Sequence, residues 1–250
     1  MSPDRLKDKV GVKPADLAFL NLNNAGWILV AVILTWYLHR VRPGFLVSVA
    51  QRFRWRWLAV CFGLGILTLV VTVAVEKVIP STTTGSVSEH YSSSTTVAFI
   101  AVIALTTPLQ AMGEEFLFRG YLTQAMGGVA PTVVAVVAPA LLFAAAHGSQ
   151  SLPVFIDRLA FGLMAGVVVV VTGGLEAGIA MHVLNNFVAF GIAVGSQTIS
   201  STLAATGGTW WLLLVTVAQN GVFLLLVIGA KRRQGADFAS AAAPALSATY

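Results

Sequence analysis

Runs of apolar residues long enough to cross a bilayer, separated by shorter polar stretches, organise this chain. A hydrocarbon core about 30 Å thick takes about 20 residues of α-helix. The runs that meet this length are Leu22–Leu38, Trp57–Ile79, Val97–Met112 with a polar-studded extension to Met126, Val129–His147, Val154–Thr172, Leu175–Gly195 and Thr209–Ala230. The pattern therefore predicts an all-α polytopic transmembrane helical bundle of about seven spans, with any active-site cavity lying between helices. No internal repeat and no linker divides it. Residues 1–21 form an N-terminal segment, 22–230 one transmembrane domain, and 231–250 a basic and then disordered tail. Ser81–Thr96, rich in Ser and Thr, reads as a flexible loop.

Composition sharpens the picture. Of 250 residues, 57% are hydrophobic and only 10% charged, against about a quarter charged in soluble domains. The net charge of +5 does not point to nucleic acid, because the basic residues flank apolar runs instead of forming one soluble face. Arg40, Arg42, Arg52, Arg54 and Arg56 fill the first connection, and Lys231, Arg232 and Arg233 follow the last run. An even number of spans between these clusters puts them on one side. The positive-inside rule makes that side the cytoplasm, so the C-terminus is expected to be cytoplasmic in a bacterial cell membrane. Arg52, Arg54 and Arg56 alternate with Phe53, Trp55 and Trp57, which suits an interfacial stretch whose guanidinium groups meet lipid phosphate. Cys61 lies alone in an apolar run and reads as a small buried hydrophobe.

Ionisable groups inside spans cost roughly 2.5–3.5 kcal/mol each and usually face an interior or a cavity. Three runs carry them. Glu114 and Glu115 are adjacent, with Arg119 one turn beyond Glu115, a spacing that suits an ion pair. Glu114 points about 100° away from that pair and is expected to lack a partner. His147 ends one run, after three alanines; His182 and Asn186 lie four apart in another and share a face. Asp157, Arg158 and Glu176 sit nearer segment ends and read as interfacial. Each group alone is compatible with helix packing. Together they supply what peptide hydrolysis needs: a base for water, a donor for the oxyanion and an acid for the leaving amine.

Glu114-Glu115-x-x-x-Arg119, Phe143-x-x-x-His147 and His182-x-x-x-Asn186, in that order on expected spans, resemble the motifs of the CPBP intramembrane protease family. That family takes in the type II CAAX prenyl endopeptidases and the bacterial Abi proteins. The resemblance runs from about Thr107 to Ala189, so the first two helices and the last lie outside it. It implies an intramembrane endopeptidase in which Glu114 and His147 activate water, His182 and Asn186 stabilise the oxyanion, and Glu115 and Arg119 support them. It leaves open whether the reaction depends on glutamate alone or on a metal; a zinc would be held by Glu114, His147 and His182. The implied partners are the lipid bilayer and a peptide or membrane-protein substrate, such as a leader or bacteriocin-like peptide. Two other readings keep the same helices: a non-catalytic immunity or scaffold protein, and a proton-coupled transporter relaying through Glu114, His147 and His182. Convergence of the site requires the helix ending at His147 to be tilted, shifted or kinked at Pro139.

Overall fold

The structure, a computed structural model, describes residues 11–78, 89–148, 150–204 and 208–234. The expected tail beyond residue 234, the first ten residues and positions 81–88 of the expected loop lie outside the described residues. Apart from an isolated bridge between Ser48 and Gly174, every regular element among the described residues is helical. Among the described residues six helical stretches are long and apolar enough to span: α1 (Pro14–Leu38), α2 (Trp55–Val75), α3 (Ser93–Gly127), α5 (Leu152–Thr172), α6 (Glu176–Gly195) and α7 (Trp210–Arg233). Between them α4 (Thr132–Ala146) is apolar but shorter. The chain is thus a multi-pass membrane protein, an all-helical bundle of about seven spans.

Helix α1 starts at Pro14, ahead of the apolar run that announced it. Pro at the first helical position loses nothing, because its missing N–H would have had no partner there. The Asp16 carboxylate accepts from the Lys13 amide at 3.0 Å and closes the first turn. Asp16 and Asn21 hide this turn from a reading based on apolarity. Asn21 is buried, its amide donating to Thr106 Oγ1 at 2.8 Å and Thr107 Oγ1 at 3.2 Å, so polar residues here join α1 to α3.

Helix α6 is the hub. It is 56% buried, against 17–33% for the other long spans, and it packs on α2, α3 and α5. Two apolar clusters flank it. One gathers Phe118, Phe143, Phe161, Ala177 and Met181; the other gathers Ala111, Phe116, Leu175, Ile179 and Val183. The polar residues of α3 and α6 are wedged between them.

The two ends of the bundle are distinct. At one end, Arg54 before α2 donates to the Thr172 carbonyl at the end of α5 and to Glu176 at the start of α6. Lys231 on α7 donates to the Val171 carbonyl. The two basic clusters of the sequence therefore do share one end. At the opposite end the Tyr91 and Ser200 hydroxyls donate to the Glu89 carboxylate. Burial, and then that carboxylate, hold the Tyr91 phenol above its ordinary pKa.

The expected lipid contact of Arg54 is corrected by this arrangement. Its backbone amide and Nε each reach Glu176 Oε1 at 2.9 Å, and Nη2 reaches Oε2 at 2.6 Å. Glu176 is fully buried, so it is not an interfacial residue either. A fork-to-fork pair of this kind satisfies both charges, and it is invisible in sequence because 122 positions separate the partners.

Candidate functional site

Helix α3 brings the two glutamates to the middle of the bundle. Adjacent residues on a helix diverge by about 100°, so Glu115 turns toward α6 while Glu114 turns toward α1. Immediately beyond, Phe116–Leu122 widens into π-helical turns, with the Thr123 amide bonded to the Phe118 carbonyl. Such wide turns inside α-helices recur at functional sites.

Glu115 and Arg119 form the expected ion pair, Nη1 to Oε1 at 3.0 Å, both essentially without exposure. The guanidinium also lies 4.4 Å from the Phe143 ring centroid, a cation–π contact that helps to offset its desolvation. His182 Nδ1 is 2.8 Å from the same Glu115 oxygen. An ionised carboxylate only accepts hydrogen bonds, so against it Nδ1 carries the proton. That leaves Nε2 directed at Glu114, 3.5 Å from Oε2. Phe143 and Phe161 hold the imidazole edge-on from two sides. His182 therefore bridges the two carboxylates in an apolar sleeve.

Glu114 is not the unpartnered acid expected from the sequence. Its Oε1 accepts from Gln110 Nε2 at 2.6 Å and from Asn24 Nδ2 at 2.8 Å. Gln110 Oε1 in turn accepts from Asn186 Nδ2 at 2.8 Å. The result is one continuous polar file, Asn186–Gln110–Glu114–His182–Glu115–Arg119, running across α3 and α6 with Asn24 joined from α1. Two oxygens in it, Glu114 Oε2 and Glu115 Oε2, are buried without a hydrogen bond. Buried acceptors are rarely left so.

Close helix approach makes the file possible. A Cβ at Gly113 would lie 2.1 Å from the Asn24 carbonyl oxygen, and one at Gly178 would lie 2.9 Å from Glu115 Oε2. Any other residue at Gly113 would push α1 off α3, and at Gly178 would displace the carboxylate.

His147 stands apart from the file. It follows the last residue of α4, its Nδ1 2.7 Å from the Phe143 carbonyl oxygen and its ring against Phe143 at 4.7 Å. Its side chain is exposed, it makes no hydrogen bond to Glu114, and Glu114, Arg158 and His182 are the charged groups close enough to act on it electrostatically. The 15 residues of α4 rise about 22 Å, and His147 follows one turn beyond Phe143, the ring that touches His182.

The sequence-chosen residues thus separate. Glu114, Glu115, Arg119, His182 and Asn186 are brought together; His147 lies beside them. Asn24 and Gln110 were missed. Gln110 had a faint signal, a polar residue one turn before Glu114, whereas Asn24 lies on a helix outside the motifs and had none. As they stand, Glu114, His147 and His182 do not form a zinc site, since among the described residues no three His, Cys, Asp or Glu are arranged to hold a metal ion.

Residues 94–188 match the family model described as type II CAAX prenyl endopeptidase Rce1-like. The matched stretch contains the whole polar file except Asn24. No curated protein and no solved structure matches the chain.

Proposed function

Through residues 94–188 the chain belongs to the CPBP family of CAAX-type membrane endopeptidases, and on that premise we propose that it hydrolyses a peptide bond within the membrane with Glu114 as the base. The observation that carries this reading is Glu114 Oε2, buried and without a hydrogen bond while Oε1 is held by two amides. One oxygen is clamped and the other is left to take a proton. A water oxygen attacks the carbonyl carbon as its proton passes to Glu114. The C–N bond then breaks, and the departing amine takes that proton.

His182 and Asn186 serve the oxyanion. When His182 is an imidazolium, Nε2–H is a donor beside Glu114, with Nδ1 kept in place by Glu115 and Arg119. Asn186 gives one amide hydrogen to Gln110 and keeps a second. A single oxyanion donor is worth about 2.7–4 kcal/mol. His147, at the end of α4, works with Glu114 in activating that water. The substrate is a hydrophobic peptide or membrane protein, the bilayer the second partner. The end carrying Arg54 and Lys231 faces the cytoplasm, together with the C-terminus.

The test is cleavage of a hydrophobic peptide library by the full chain in proteoliposomes, beside Glu114→Gln. Cleavage lost in the variant, with the protein still folded, is the expected result. Equal cleavage removes Glu114 from the mechanism, and no cleavage by either protein leaves the scaffold reading. Substrate movement across the vesicle without cleavage would favour a transporter.

A further inference from the structure

Helices α2 and α7, both outside residues 94–188, enclose a groove on the outer face of the bundle. It measures about 340 Å³ and is lined by Leu64, Leu225, Leu226, Gly229, Ala230 and Arg233. Leu225 is 70% exposed, so the groove opens outward and not into the core. Gly229 keeps it open, since nothing lies within 4 Å of where its Cβ would be. Farther along the same contact, Thr72 Oγ1 donates to Gln219 Oε1 at 2.6 Å, which holds the two antiparallel helices in register.

One end of the groove is basic. On α2, Arg56, Val60 and Leu64 follow at intervals of four and share a helix face. On α7, Leu226, Gly229 and Arg233 do the same at intervals of three and four. Both faces run from apolar to cationic toward the end that carries Arg54 and Lys231, so Arg56 and Arg233 stand at the same mouth. Their basic neighbours are already engaged. Arg54 is held by Glu176 and the Thr172 carbonyl, and Lys231 donates to the Val171 carbonyl. Arg56 and Arg233 are exposed. Among the described residues no carboxylate lies within ion-pair distance of either, in contrast to Arg54 and Arg119. Trp55, beside Arg56, is 68% exposed, which suits a ring at headgroup depth.

We propose that this groove holds an anionic phospholipid, with one acyl chain along Leu64, Leu226 and Gly229 and the phosphate at Arg56 and Arg233. An apolar trough with cations at one end matches the two halves of such a molecule, and basic pockets between spans take anionic headgroups. A zwitterionic lipid would bring its own positive charge to the two guanidinium groups. A free phosphate would gain nothing from the apolar wall. A second copy of this chain, related by a two-fold axis, would set the basic ends against each other. The assignment stands apart from the role of Glu114.

The experiment uses the full chain in lipid-free detergent micelles, titrated with phosphatidylglycerol or phosphatidylcholine of identical acyl chains. Bound lipid is counted by native mass spectrometry. Phosphatidylglycerol is expected to bind about 5–30-fold more tightly, the weight of one to two basic groups at an anionic surface. With Arg56→Gln and Arg233→Gln together, that preference should vanish while phosphatidylcholine binding stays. Arg42→Gln, which removes a cation of the first connection, should keep the preference. Gly229→Leu fills the groove and should weaken both lipids. Equal binding of the two lipids by the wild type overturns the proposal. So does a preference that survives the double substitution, or one lost equally in Arg42→Gln, the mark of net surface charge. A lipid-independent dimer broken by Gly229→Leu also overturns it, and would make the groove an interface between copies. Circular dichroism, with helix content unchanged in each variant, keeps misfolding out of the comparison.

Discussion

Two buried carboxylate centres in this protein are built on opposite principles. Glu176 meets Arg54 through three hydrogen bonds that occupy both of its oxygens. Glu114 and Glu115 share one cation, one imidazole and two amides, and each keeps an oxygen without a hydrogen bond. A saturated pair locks helices together and has nothing left to offer a reactant. An unsaturated one retains a desolvation cost that only a proton, a water or a substrate relieves. The difference in bonding, not in burial, separates a fastening from a candidate site, since all three acids are almost inaccessible.

Substitutions can break that comparison. The largest effect is expected at Glu114→Gln, which keeps the shape and the contact to Asn24 but removes the base. Cleavage in proteoliposomes should fall about 10²–10⁴-fold while the melting temperature stays near that of the wild type. A Glu114→Gln protein that still cuts would make this acid another fastening. Next comes Glu176→Ala, which strips Arg54 of its carboxylate and should cost about 3–5 kcal/mol of stability, seen as an earlier thermal transition in detergent. Its remaining folded fraction should cut at the wild-type rate; a folded but inactive variant would place Glu176 on the chemical side. Asn186→Ala is expected to lower kcat about 10²–10³-fold with KM little changed, if it donates to the oxyanion. A change in KM alone would confine Asn186 to holding Gln110. The smallest effect belongs to Asn24→Ala, which removes one of two donors to Glu114 Oε1 and should cost about 1–3 kcal/mol. Kinetics and melting measured together would show whether that loss falls on activity, as the continuous polar file implies, or on the α1–α3 contact alone.

The helices were legible because their signal is physical and local. A stretch such as Leu152–Thr172 must satisfy its own backbone in lipid, so length and apolarity suffice to announce it. The start of α1 was missed because Asp16 and Asn21 do structural work that hydropathy counts against a span. Glu115 with Arg119, and His182 with Asn186, were visible as pairs because a helix turn places positions four apart on one face. Arg54 with Glu176 was not, because a contact across 122 residues leaves no mark on either neighbourhood. His147 was legible as a residue but not as a position, since its depth depends on where the short helix α4 begins.

By itself the sequence determined the all-helical membrane architecture, the residue types of the candidate site and the helical faces that carry them. Periodicity and the cost of polarity in lipid act within one element, and so can be read one element at a time. The tertiary structure decided the rest: that Glu114 is held by Asn24 and Gln110, that His182 bridges two carboxylates, that Arg54 is a fastening and that His147 lies to one side. Those outcomes depend on how closely α1, α3 and α6 approach, which Gly113 and Gly178 permit and which no single helix specifies.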